Sequence, residues 1–87
     1  MYIILVYDIG IERLNKVRQF LKGYLTWIQN SVFEGPLTEK QFRELKTELE
    51  KQIDTENDSI VIYKLPHDKI LTKETIGATK GDVFNII

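Results

Sequence analysis

No cysteine occurs among the 87 residues, which excludes a disulfide framework, a thiolate zinc site and a thiol nucleophile. Histidine occurs once, as His67 beside Pro66. In that loop context it reads as a solvated side chain rather than as a ligand or general base. No Gly-rich phosphate loop, Ser/His/Asp set or metal-spaced His/Asp cluster is present. No apolar run is long enough to cross a bilayer, and the opening one lacks the basic flank of a signal peptide. A soluble, cytoplasmic protein without a membrane partner is expected. There is no repeat, linker or low-complexity segment, so residues 1–87 are read as one domain. A chain this short, without staples, lies near the lower limit for a self-sufficient core and is a candidate to share one with a second subunit.

Charge excess is also missing: the formal net charge is -1. The distribution is uneven, however. Residues 11–27 hold four basic side chains (Arg13, Lys16, Arg18, Lys22) against the single acidic Glu12, whereas residues 34–58 hold four basic and eight acidic ones. One end of the molecule is therefore suited to an anionic polymer that the other end repels.

What is present begins with YIILVYDIG (residues 2–10), rich in β-branched and aromatic residues and read as a strand. Leu14, Val17, Leu21 and Tyr24 then recur at helical spacing from about Glu12 to Tyr24, with Phe20 widening the stripe. TWIQNSVFEG (26–35) is extended, either one long strand or two broken near Asn30-Ser31, and Gly35-Pro36 supplies a turn. Thr38-x-x-Gln41 is a capping pattern for a second helix with Phe42, Leu45, Leu49 and Ile53 as its apolar stripe. Residues 54–58 read as a polar loop, SIVIYKL (59–65) as a strand stopped by Pro66, and residues 66–87 as a tail with a short strand around Thr75-Ile76.

This order, β-α-β-(β)-α-β plus a tail, is an α+β class pattern, the ferredoxin-like plan in which two helices cover one face of an antiparallel sheet. A sheet with one solvated face should alternate apolar and polar residues. Residues 2–7 and 60–63 do not alternate, so both faces of these strands are expected to be covered. A second copy of the chain is the simplest source of the missing cover.

Asp8 ends the first apolar run and raises the question of function, because a carboxylate is costly to bury unpaired. One reading is local: Asp8 caps the following helix or closes an Asx turn. The other is chemical. The end of a central strand near a helix N-terminus is a common site of phosphate or metal chemistry. In a two-fold dimer Asp8 occurs twice, and Mg²⁺ takes one or two carboxylates together with substrate phosphate oxygens and water. Trp27 and Phe33 are either core residues or platforms for bases.

The succession YIILVYDIG, a basic first helix and IQNSVFEG (28–35) resembles the CRISPR-associated endoribonuclease family, the small dimeric partners of the integrase that captures new spacers. The resemblance spans essentially the whole chain. Its most specific parts are the Tyr7-Asp8 pair and the Gln29-x-Ser31-Val32-Phe33-x-Gly35 run. It implies a ferredoxin-like homodimer whose C-terminal strand joins the partner's sheet. It further implies that Asp8 binds Mg²⁺ jointly with its copy, with Tyr7 beside it in the catalytic set. Ser31 and Phe33 would shape the cleft for nucleic acid, and Arg13, Lys16 and Arg18 would steer the phosphate backbone. Where some family members carry an arginine before the I-Q pair, this chain has Trp27. Two further readings accompany the metal-dependent nuclease acting on single-stranded RNA or on DNA. One is a non-catalytic dimeric scaffold that binds spacer DNA and bridges integrase units; the other is a toxin-type ribonuclease on the same fold.

Overall fold

Strand β1 (Tyr2–Asp8) lies inside the sheet because its side chains are apolar in both directions. The computed structural model describes residues 1–66 and 72–77. After β1 come α1 (Ile11–Leu21), β2 (Thr26–Gln29), β3 (Val32–Pro36), α2 (Glu39–Gln52) and β4 (Ser59–Leu65). The strands form one sheet in the order β2-β3-β1-β4, with every neighbouring pair antiparallel. This is the ferredoxin-like α+β arrangement.

Ile3, Leu5 and Tyr7 of β1 point to the helix-covered face and are buried, joined by Phe33 of β3, Val17 and Leu21 of α1, and Phe42, Leu45 and Leu49 of α2. Removing each of these large side chains from water stabilises the fold by about 1.5–3 kcal/mol. α2 starts as its sequence dictates. The Thr38 hydroxyl accepts the Gln41 N–H at 3.1 Å, and the Gln41 side chain accepts the Thr38 N–H at 2.9 Å.

Three boundaries differ from the sequence reading, and a fourth, left open there between one strand and two, is decided. α1 ends at Leu21 rather than near Tyr24, because Gly23 and Tyr24 donate to carbonyls three residues back (Phe20 and Leu21), a tightened last turn. The segment 26–35 is two strands, turned at Asn30, whose φ of 43° is a left-handed conformation that Asn tolerates better than most residues. Gly35 and Pro36 do not form a turn; they pair with Ile3 and Tyr2 inside β3. Pro36 is tolerated there because it ends the strand. Residues 72–77 form no strand, so the one expected around Thr75-Ile76 is absent within the chain. His67 and the other tail residues lie outside the described residues.

The second face of the sheet is open in the single chain. Tyr2, Ile4 and Val6 of β1 and Val32 of β3 are half-buried there. Beside them Val61 and Tyr63 of β4 are 48% and 57% exposed. Glu34 lies on this same face opposite Ile4. Its carboxylate accepts the Tyr2 hydroxyl at 2.7 Å and pairs with the Lys73 ammonium at 3.0 Å. The non-alternating strands are thus covered by helices on one side only.

Candidate functional site at the end of strand β1

Asp8 is the last residue of β1, exposed, with Ser59 of β4 as its register partner. By the alternation of the strand it belongs to the open face, at the rim of the patch formed by Val6 and Val61. The local reading of this carboxylate fails. The helix N-cap is Gly10, with no side-chain cap, and the Gly10 N–H goes to Asp58 instead, at 2.8 Å. Among the described residues the Asp8 carboxylate has no hydrogen bond or ion pair. Ser31, half-buried, begins its neighbour's turn at the same sheet end, and its carbonyl accepts the Tyr7 N–H at 3.0 Å. The structure thus places Ser31 at the same end of the sheet as Asp8, across from Tyr7.

It separates the rest. Tyr7 is 4% exposed and faces the helices, on the side of the sheet away from Asp8. Its hydroxyl accepts from Arg18 Nε at 2.9 Å and donates to the Asn30 carbonyl at 3.1 Å. A buried ring whose hydroxyl is committed in this way positions the turn and the first helix. The expectation of Tyr7 as a catalytic group is corrected accordingly. Phe33 is 0% exposed and packs against Tyr7 with ring centroids 6.1 Å apart. It has no surface to offer a nucleic acid, so its expected binding role is replaced by a core role.

Arg13 is also reassigned. Its Nε and Nη2 donate to the two oxygens of Asp58 at 2.6 and 2.8 Å, and Nη1 pairs with Glu12 at 2.9 Å. The guanidinium is neutralised within the chain and is not available to steer a phosphate backbone. Asp58 was hidden in the sequence by an acidic, polar loop. The only local signal was its place immediately before an apolar strand. Its side chain is fully buried, and it accepts the backbone N–H of Gly10 and of Asp54 (2.9 Å) besides the two from Arg13. Those bonds, the Arg13 pair first, hold its carboxyl well below the usual carboxylate range, and they outweigh the opposing effect of burial. Asp54 is lowered as well, chiefly by bonds from the Asn57 side chain and the Glu56 N–H.

The cations left on α1 are the exposed Lys16 and Lys22 and the half-buried Arg18. Arg18 and Lys22 sit over the Trp27 ring, 5.0 and 5.5 Å from its centroid. The sequence reading counts Lys22 in the basic segment and leaves Trp27 open between core and base platform, but does not bring the two together. Their convergence depends on β2 folding back beside α1.

No group of three or more His, Asp or Glu side chains is placed to hold a metal ion among the described residues. The chemistry of Asp8, an exposed carboxylate with no partner among the described residues, is nevertheless that of a Mg²⁺ ligand, since this ion keeps several waters and needs one or two carboxylates.

Fold and site together define a small ferredoxin-like α+β protein with an exposed carboxylate at the end of a central strand, without a partner among the described residues, on the rim of an open sheet face. Residues 1–73 match the family model described as CRISPR associated protein Cas2. The CRISPR-associated endoribonuclease Cas2 of Methanosarcina acetivorans is 47% identical over 87 residues, covering all of both chains. That of Pyrococcus furiosus is 48% identical over 87 residues, again covering all of both. A solved structure, "Crystal structure of cas2", superposes with a TM-score of 0.82 at 45% identity, covering 92% of this chain and 90% of that one. Streptococcus pyogenes Cas2 gives 0.73 at 33% identity, covering 88% and 100%. The chain belongs to the CRISPR-associated Cas2 family.

Proposed function

We propose that this chain is a CRISPR-associated endonuclease of the spacer-acquisition machinery. It works as a homodimer beside an integrase subunit and hydrolyses phosphodiester bonds in single-stranded RNA or in DNA with Mg²⁺. The observation that carries the reading is Asp8, exposed, without a partner among the described residues, and at the rim of an apolar face that a second copy would cover. Its relatives are named endoribonucleases, which supports the same chemistry here. Asp8 and its copy would hold the ion, which when bound supplies a water of lowered pKa or polarises the scissile phosphate. Asp8 contributes orientation and negative charge. Ser31 lines the same sheet end, and Lys16, Arg18 and Lys22 attract the polyanion.

The deciding experiment is Asp8→Asn. Mg²⁺-dependent cleavage should disappear while the oligomeric state is kept; cleavage at the wild-type rate would refute the assignment.

A second reading has one specific observation in its favour. With Tyr7 and Phe33 buried and Arg13 neutralised, Asp8 is the one candidate catalytic group left of the expected set among the described residues. A dimeric scaffold that grips spacer DNA by its phosphates needs no more than the cations. Duplex binding that falls steeply with salt, needs no divalent ion and is unchanged in Asp8→Asn would favour it.

A further inference from the structure

Along β1 and β4 the open face of the sheet is apolar or aromatic until one end. The residues of β1 that point to it run Ile4, Val6 and then Asp8; those of β4 run Tyr63, Val61 and then Ser59. Both rows turn polar at the same step, because Asp8 and Ser59 are register partners on adjacent antiparallel strands. Directly paired residues of this kind share a face, with Cβ atoms about 4.5–5.5 Å apart. At that separation a serine hydroxyl and a carboxylate oxygen can meet directly or through one water. Both side chains are exposed, and among the described residues neither has a hydrogen bond or an ion pair. On the other side of β1 the paired register stops at Val6 and Val32. Ser59 is therefore the one ladder partner of Asp8 among the described residues.

The backbone beneath this pair is fixed from the helix side. Asp58, immediately before Ser59, turns its buried carboxylate inward, where it accepts the Gly10 N–H at 2.8 Å and Arg13 Nε at 2.6 Å. Gly10 in turn follows Asp8 by two positions. The chain just past Asp8 is thus tied to the chain just before Ser59, and the two side chains are carried on a braced frame. A carboxylate has two oxygens, and a cation on one leaves the other to be oriented by a donor. Ser59 supplies one O–H to donate and two lone pairs to accept from water.

We infer that Ser59 is a positioning residue of the Asp8 site, its hydroxyl orienting the Asp8 carboxylate, and the water beside it, toward a bound divalent cation. The inference rests on the Mg²⁺-dependent reading of Asp8 above and assigns the neighbour that shapes that site.

The first probe is Mg²⁺ alone, titrated calorimetrically into the full-length protein without nucleic acid; the second is cleavage kinetics. Ser59→Ala should weaken Mg²⁺ uptake about tenfold and lower kcat, with KM for the nucleic acid unchanged. Ser59→Thr keeps the hydroxyl and should recover both. Wild-type Mg²⁺ affinity in Ser59→Ala overturns the inference. Equal losses in Ser59→Ala and Ser59→Thr also overturn it, because they assign the effect to the position and not to the hydroxyl. Asp8→Asn keeps the two proposals apart. If Asp8→Asn loses cleavage and Mg²⁺ uptake while Ser59→Ala matches the wild type, the nuclease assignment stands and the positioning role fails. If Asp8→Asn cleaves normally but loses Mg²⁺ uptake, and Ser59→Ala weakens uptake as expected, the reverse holds.

Discussion

The Asp58 carboxylate accepts the backbone N–H of Gly10 at 2.8 Å, joining positions 48 residues apart in sequence. Through this bond the turn that follows Asp8 is tied to the loop that precedes β4, and Arg13 closes over both. A Cβ on Gly10 would stand 2.7 Å from Arg13 Nη2, so the glycine lets the guanidinium lie against the backbone. The strand end that carries the candidate site is held from outside its own element.

Loss of this clasp should be costly. Asp58→Ala leaves two backbone N–H groups and the Arg13 guanidinium without their acceptor, so the thermal midpoint should fall by roughly 10 °C. Asp58→Asn, which keeps the shape and some of the acceptors, should lose less. Calorimetry of the two variants checks the order. Equal midpoints for wild type and Asp58→Ala would show that the clasp is dispensable.

The same residue sets the acid stability. Its folded pKa lies below the ordinary value of 3.8, so its contribution is fully present above that value and is lost as pH falls through and below it. Asp54 is shifted in the same direction and adds to the effect. The midpoint should therefore carry the full contribution of these groups, with no pH dependence from them, between pH 8 and 5 and should drop below about pH 4. Asp58→Asn should flatten the acid limb. An unchanged acid limb in that variant would assign it to other carboxylates.

Phe33 tests whether the S-V-F run is a contact or a core element. At 0% exposure, Phe33→Ala should destabilise the fold by about 3–5 kcal/mol in urea unfolding. Phe33→Leu should cost about 1 kcal/mol, with nucleic-acid affinity kept in whatever fraction is folded. A stable Phe33→Leu protein that no longer binds would restore the contact role.

The open sheet face is where a second copy is proposed to sit. Val61→Lys places a charge among Val6, Tyr63 and its own copy, yet Val61 is 48% exposed in the single chain and unneeded by its core. Sedimentation should show a folded monomer. A dimer of undiminished strength would locate the interface elsewhere.

Divalent ion removal separates binding from cleavage. EDTA should stop phosphodiester hydrolysis, and Mg²⁺ should restore it. Nucleic-acid binding through Lys16, Arg18 and Lys22 should persist without the ion, with its salt dependence intact. Cleavage that continues in EDTA would remove Asp8 from the mechanism.

Much of this was readable along the chain. The Thr38 capping box, the apolar stripe of α2 and the strands at 2–8 and 59–65 are local patterns whose period matches the element they form. Asp8 stood out because a carboxylate ends an apolar run. Individual fates were not readable. Tyr7 and Asp8 are adjacent in sequence and point to opposite faces of the sheet, so a motif that pairs them hides their different roles. Arg13, Lys16 and Arg18 all read as basic side chains of the first helix, and only the approach of Asp58 neutralises the first. Trp27 acquires Arg18 and Lys22 because β2 returns beside α1.

By itself, then, the sequence determined the elements, their order, the helix-facing core and the singular position of Asp8, since these depend on periodicity and on the cost of burying a charge. Which cations remain free, which aromatics reach the surface and what holds the strand end were decided only in the tertiary structure. Each of those properties depends on a partner tens of residues away, and no local pattern encodes a distance across a sheet.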